Sequence, residues 1–320
     1  NEAASIISSS GLGPYDAIQF EKYLSDKNVS VAPYIRELGE GFDGQSNKKD
    51  LETMFQMIHL YFSEPREDNG AFNSYIDRKR GEIENKNLSP EGVFFDSIRS
   101  VVNSNHLRSK ALNIKTLSEI NFKDVVSIYK ERFNEPGDFT FIFVGNIEEE
   151  VFYQNVNKYL GSIPSLGRKE SWLDVGKRAP AGKINEFVYK GMEPKSFVYF
   201  AIIGDVDWNE TNEHNIRTLG NAFSIKLEKV LREEMGGTYG VWVASELYHY
   251  PNERYRFRVI FGCDPEKVDE LTDAFYTQID SVKLVGLKEE LVQKKIILKN
   301  LNILCNLNEL KEEILVKVRS

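Results

Sequence analysis

The chain has 320 residues, 41% of them hydrophobic and 28% charged, with a formal net charge of −8 at pH 7. That length suits two domains of ordinary size, each with a core of its own. The acidic balance excludes a nucleic-acid binder that works by neutralising phosphates, and no apolar run is long enough to predict a membrane span.

Residues 2–10 are small and apolar and stop at Gly11, which reads as the tail of a helix. Pro14 opens a second helix, whose face of Tyr15, Ile18, Tyr23 and Leu24 runs to about Asp26. Val29, Val31, Pro33 and Ile35 then alternate with polar residues as a strand, and Gly39, Gly41 and Gly44 mark a turn into another. Asp50 stands where it can cap a helix carrying Leu51, Met54, Phe55, Ile58 and Phe62, which ends near Pro65. Helices follow over about 72–87 and 90–102, and a further one, capped by Asn121, carries Val125, Ile128, Tyr129 and Phe133. Residues 139–144, FTFIFV, are apolar on both faces, which predicts a central strand covered from both sides. From Glu148 to Leu160 the pattern is helical again.

Pro164, Gly167, Gly176, Pro180 and Gly182 then fall among mixed charges with few core formers. This sets a first domain at 1–165, a linker at 166–183 and a second domain at 184–320. Strands at 184–189 and 196–203 open the second domain. A helix with Phe223, Ile225, Leu227, Val230 and Leu231 at helical spacing comes next, ended by Gly236 and Gly237. Strands at about 238–248 and 253–262 and helices from Pro265 and Leu287 complete it. The order helix, strand, strand, helix, helix describes both 14–86 and 210–304. The expected fold class is therefore α+β, two duplicated domains with mainly antiparallel sheets covered by helices, the first lacking its opening strands.

One corner of this scheme offers chemistry. Arg232 sits in the last turns before the glycines and Tyr239 just beyond them, so the two can converge as hydrogen-bond donors for a carbonyl or carboxylate. The other reading pairs Arg232 with Glu233, Glu234 or a neighbouring helix and packs Tyr239 in the sheet. The run around them, LREEMGGTYGVWV, resembles the C-terminal, non-catalytic half of the M16 (pitrilysin-like, inverzincin) metallopeptidases. GLGPYDAIQFEKYL, FTFIFVGNI, GMEPKSFVYFAIIG and CDPEKVDEL carry the likeness over most of the chain.

The resemblance implies paired M16-type domains in which Arg232 and Tyr239 hold the substrate backbone against a zinc-bearing half. That half carries HxxEH on a helix, and this chain has no such run: His59, His106, His214 and His249 are isolated. Glu210 and His214 share only the spacing of one helical turn. No catalytic or metal-ligating residue is assigned, no cofactor is expected in this chain, and zinc is expected in the catalytic half. Alone, the chain is expected to be inactive. Its expected partners are that half, in the same longer chain or as a separate subunit, and a peptide substrate. The alternative is a scaffold of the same fold with no peptidase role, as in the core subunits of respiratory complex III. The chain reads as soluble, and as periplasmic or otherwise extracytoplasmic if a signal peptide has been removed. Cys263 and Cys305 are read as buried thiols, with one disulfide between them left open.

Overall fold

The structure, a computed structural model, describes residues 2–286 and 312–319. It divides into two units, one made of Asn1–Glu84 with Leu112–Leu173 and the other of Asn85–Ala111 with Asp174–Ser320. The architecture is α+β.

In the first unit α1 (Glu2–Ser9) buries Ala3, Ala4, Ile6 and Ile7. A reciprocal capping box between Asp16 and Gln19 starts α2 (Ala17–Leu24). β1 (Val29–Ile35) and β2 (Glu40–Ser46) form an antiparallel hairpin, in register from Val29↔Ser46 to Ile35↔Glu40. The hairpin packs on α3 (Leu51–Ser63), which buries Leu51, Met54, Phe55, Met57, Ile58 and Tyr61. Asp50 does not cap α3 as the sequence suggests. Its buried carboxylate accepts the Asn28 amide at 2.8 Å instead, and so fastens the start of the hairpin to the start of the helix. α4 (Asn69–Leu88) follows, and beyond it, in the second unit, Ser89 caps α5 (Pro90–Val101) through the Gly92 amide. After α6 (Ile114–Ser118), Asn121 caps α7 (Phe122–Phe133) by accepting the Asp124 amide at 2.9 Å.

Residues 139–144 differ from expectation. Phe139, Phe141 and Phe143 turn inward, the first onto the Phe62 and Phe133 rings at 5.0 and 5.7 Å. Ile142 and Val144 are 80% and 92% exposed. The alternation is that of a strand, but only one face is covered, and among the described residues no ladder pairs with it. A run apolar on both sides cannot reveal which face finds a neighbour. α8 (Glu149–Asn155) and a π-helical turn, Val156–Leu160, close this part of the unit.

The start of the expected linker is tied down. The buried Glu135 carboxylate accepts the Ser165 hydroxyl and the amides of Leu166 (2.7 Å) and Arg168 (3.2 Å), and Asp138 accepts the Glu170 amide (3.0 Å). Within the second unit, Ser104 donates to the Arg178 carbonyl and His106 Nε2 to that of Val175, both at 3.1 Å. Trp172 and Leu173 lie between these anchors and are exposed. Chymotrypsin is therefore expected to make its first cut in the native chain after Trp172 or Leu173, because proteases select exposed chain. Mass spectrometry of the first fragments checks this, and an initial cut within 165–170 would contradict it.

The second unit contains β3 (Gly182–Tyr189), β4 (Ser196–Asp205), α9 (Glu210–Leu227), β5 (Thr238–Tyr248), β6 (Arg254–Cys263), α10 (Val268–Val285) and β7 (Glu312–Arg319). The strands form one sheet in the order β3-β7-β4-β6-β5, parallel between β3 and β7 and antiparallel elsewhere. The strand β7 was not anticipated, although EEILVKVR has strand-forming residues. The helix expected from Leu287, like Cys305, lies outside the described residues.

Strict alternation along β6 sorts the sheet's two faces. Tyr255, Phe257, Val259, Phe261 and Cys263 are buried on one side, in register with Val198, Phe200 and Ile202 of β4. They form a core with Phe223 and Leu227 of α9, Leu231 beyond it, and Val268, Leu271 and Phe275 of α10. On the other side Tyr199, Ala201 and Ile203 pack with Phe94, Ile98 and Val102 from α5 and its C-cap. That helix precedes the sheet by a long stretch of chain, yet belongs to this unit.

Candidate functional site

The corner carrying Arg232 and Tyr239 is built by two local irregularities. α9 does not stay α-helical to its end. Over Glu228–Glu234 it widens into a π-helix, with the Met235 amide reaching the Val230 carbonyl at 3.0 Å. Such widened turns recur at functional sites. The two glycines that follow are required for different reasons. Gly236 takes the left-handed turn, at φ 55°. Gly237 has an ordinary backbone, but a Cβ there would overlap the Leu271 side chain.

Arg232 lies in the π-helical segment with its side chain 52% exposed, and its Nη1 donates to Glu228 Oε1 at 2.7 Å. Its partner is thus Glu228 one turn back, not Glu233 or Glu234. Exposed pairs of this kind contribute only about 0.3–0.5 kcal/mol, so a stronger acceptor readily replaces it.

The second irregularity is at the start of β5. Thr238 pairs with Cys263 and Val241 with Phe261, so Tyr239 and Gly240 oppose Gly262 alone, which is a β-bulge. Thr238 Oγ1 bridges it, donating to the Gly262 carbonyl at 2.7 Å or the Gly240 carbonyl at 3.0 Å. The bulge pushes Tyr239 out of the sheet: it is 99% exposed, on the strand that ends the sheet order. Its hydroxyl has no hydrogen-bond partner among the described residues. Spacing and residue type drew attention to this corner, but neither the π-helix nor the bulge is visible in the sequence.

A second constellation went unremarked in the sequence, although RYRFRV places arginines at every second position of β6. Glu246 Oε2 accepts Nε (3.0 Å) and Nη2 (2.7 Å) of Arg256, its Oε1 accepts Arg258, and the Tyr248 hydroxyl also donates to it. Burial alone would raise the Glu246 pKa. The Tyr248 hydroxyl and the two arginines outweigh it and hold the carboxyl below its ordinary range. Burial pushes Tyr248 up to about 12.

The histidines do not make a metal site. His59 Nδ1 donates to the Tyr159 carbonyl at 2.8 Å, His106 is engaged with Val175, and His249 Nδ1 lies 3.0 Å from Glu253. Among the described residues no group of three or more His, Cys, Asp or Glu stands together as a metal would need, so the side chains present do not fit a zinc ion. Also among the described residues, no helix is long and apolar enough to cross a membrane.

The family profile described as "Peptidase M16 inactive domain" matches residues 119–298, more than half of the chain. The chain belongs to the M16 inactive-domain family. It is a non-catalytic M16-type domain, consistent with the inactive half of a zinc peptidase. It is 24% identical over 305 residues to the probable zinc protease PqqL of Haemophilus influenzae, covering 92% of this chain and 31% of that protein. The M16 chain described here thus spans about a third of the length of that curated relative. The periplasmic protease PqqL from Escherichia coli shares the fold, with a TM-score of 0.75 at 18% identity over 99% of this chain and 40% of that one. So does the peptidase M16 inactive domain from Pseudomonas fluorescens, with a TM-score of 0.72 at 12% identity over 99% of this chain and 86% of that one.

Proposed function

We propose that the chain is the substrate-clamping half of an M16-type zinc peptidase. Peptide-bond hydrolysis belongs to a zinc-bearing half, in the same longer chain or a separate subunit, and this chain holds the peptide with Arg232 and Tyr239. The observation that carries this reading is the bulge that leaves Tyr239 fully exposed, its hydroxyl without a hydrogen-bond partner among the described residues. A bulky aromatic phenol held in water lowers no folding free energy, whereas its hydroxyl is ready to donate to a substrate carbonyl. Arg232 adds a charge-assisted donor from the neighbouring helix end.

The proposal extends to organisation. It has two duplicated M16-type domains, at about 1–165 and 184–320, the first completed by opening strands from outside the chain. Among the described residues no strand pairs with the apolar run at 139–144, and Ile142 and Val144 are exposed, which supports this organisation. An extracytoplasmic, periplasmic setting is part of the same reading, on the likeness to a periplasmic protease.

The test is peptide hydrolysis by this chain reconstituted with a zinc-bearing half. Arg232→Ala is expected to lower kcat/KM by about tenfold or more, a charge-assisted bond contributing roughly 1.5–3 kcal/mol. Tyr239→Phe is expected to cost several-fold. Thermal melts of both variants should stay within about 0.5 kcal/mol of the parent, as exposed substitutions do. Unchanged turnover in both would return the corner to structure and favour the scaffold role.

A further inference from the structure

The face of the β5–β6 ribbon opposite the main core runs against the sign of the whole molecule. The chain carries −8, yet Arg254, Arg256 and Arg258 stand in a row on this face. They meet two carboxylates: Glu246, in register with Arg256, and Asp205, in register with Arg254. The central arginines are not loosely solvated. Glu246 holds both, the Arg258 guanidinium lies 5.2 Å from the Trp242 ring centre, and that of Arg256 lies 5.0 Å from the Tyr248 ring centre.

This fixing leaves donors over. Arg256 Nη1 and Arg258 Nη1 have no partner among the described residues; Arg258 Nε has none either, but it is buried and out of a ligand's reach. The face is still reachable: the Arg256 and Arg258 side chains are 21% and 24% exposed, and Trp242 is 50% exposed. Guanidinium groups whose rotamers are already ordered lose little entropy on taking a further carboxylate, which each can bind here through its spare Nη1.

We propose that this ribbon face is a docking surface for an acidic, extended segment of polypeptide, whose Glu or Asp side chains take the spare donors of Arg256 and Arg258. That the segment belongs to a peptidase substrate rests on the clamping reading; the charge complementarity does not. A nucleic acid fits less well. Its affinity comes from neutralising many phosphates, and this row is short and set in a molecule of net negative charge.

The experiment titrates the 320-residue chain with a labelled, end-blocked peptide of alternating Val and Glu and with its Val–Gln counterpart, followed by fluorescence anisotropy. The Glu peptide is expected to bind about tenfold tighter at low salt, with the preference shrinking as salt is raised. Arg258→Gln should abolish most of that preference and Arg258→Lys should keep part of it, with melting curves to show that both remain folded. Equal binding of the two peptides by the unmodified chain overturns the proposal without recourse to any variant. So does an undiminished preference in Arg258→Gln, or a short single-stranded DNA that binds as tightly as the Glu peptide. Hydrolysis of a neutral peptide by the reconstituted enzyme, read with the Arg232 and Tyr239 variants, tests the clamping reading separately, so either idea can fail alone.

Discussion

Phe200→Ala is expected to lower the stability of the second unit by about 3–5 kcal/mol, the range for truncating a fully buried phenylalanine. Phe200 is 0% exposed on β4, a strand with neighbours on both sides. Its ring centre lies 3.9 Å from that of Phe275 on α10 and 6.2 Å from that of Phe261 on β6. Alanine therefore leaves a cavity where helix and sheet meet, and main-chain pairing on both flanks of β4 prevents the strand from moving in to fill it. Urea unfolding followed by tryptophan fluorescence is the measurement, with the midpoint lowered and the slope unchanged. A loss below about 1 kcal/mol would mean that the ring pair does not organise the core in the way described.

Gly220→Val should be the next most damaging change, by about 1–3 kcal/mol or more. Gly220 lies on the face of α9 that meets β5, and a Cβ there would overlap Ser245 Oγ and come within 2.8 Å of Ser245 Cβ. The hydroxyl cannot simply swing away without loss, since it donates to the Ile216 carbonyl at 2.8 Å. Replacing glycine in a helix gains up to about 1 kcal/mol of propensity, least for a β-branched residue. That gain is smaller than the overlap. A double-mutant cycle with Ser245→Gly should recover part of the loss. If Gly220→Val alone raises the melting temperature, the helix and strand are not in the close contact described.

What could be read in advance depended on whether a signal was local. The strand at about 253–262, most of the apolar face of Phe223, Leu227, Val230 and Leu231, and the Asn121 cap are set by neighbours in sequence and appear where expected, while Ile225 of that face stays outside the core. Asp50 was misjudged because two amides compete for one carboxylate, and the distant Asn28 holds it. The run at 139–144 was misjudged because burial of its second face depends on an element packed over it, and its pairing on another strand, neither of which its own residues encode. The π-helical turn before Gly236 and the bulge at Tyr239 depend on registers against α10 and β6, which no spacing within the corner reveals. The arginine row was in plain view, but a charged alternation reads as a solvated face until Glu246 is seen holding two guanidinium groups.

The placement of α5 has a consequence for how the chain is made. Phe94, Ile98 and Val102 leave the ribosome well before the β4 residues they cover, Tyr199, Ala201 and Ile203. At ordinary synthesis rates of about 5–20 residues per second, that helix waits on the order of 5–20 s with its apolar stripe in water. The interval over which this apolar stripe lacks its partner strand is thus fixed by the order of the elements. Slowing translation between these two segments should lengthen the exposure without altering the finished protein.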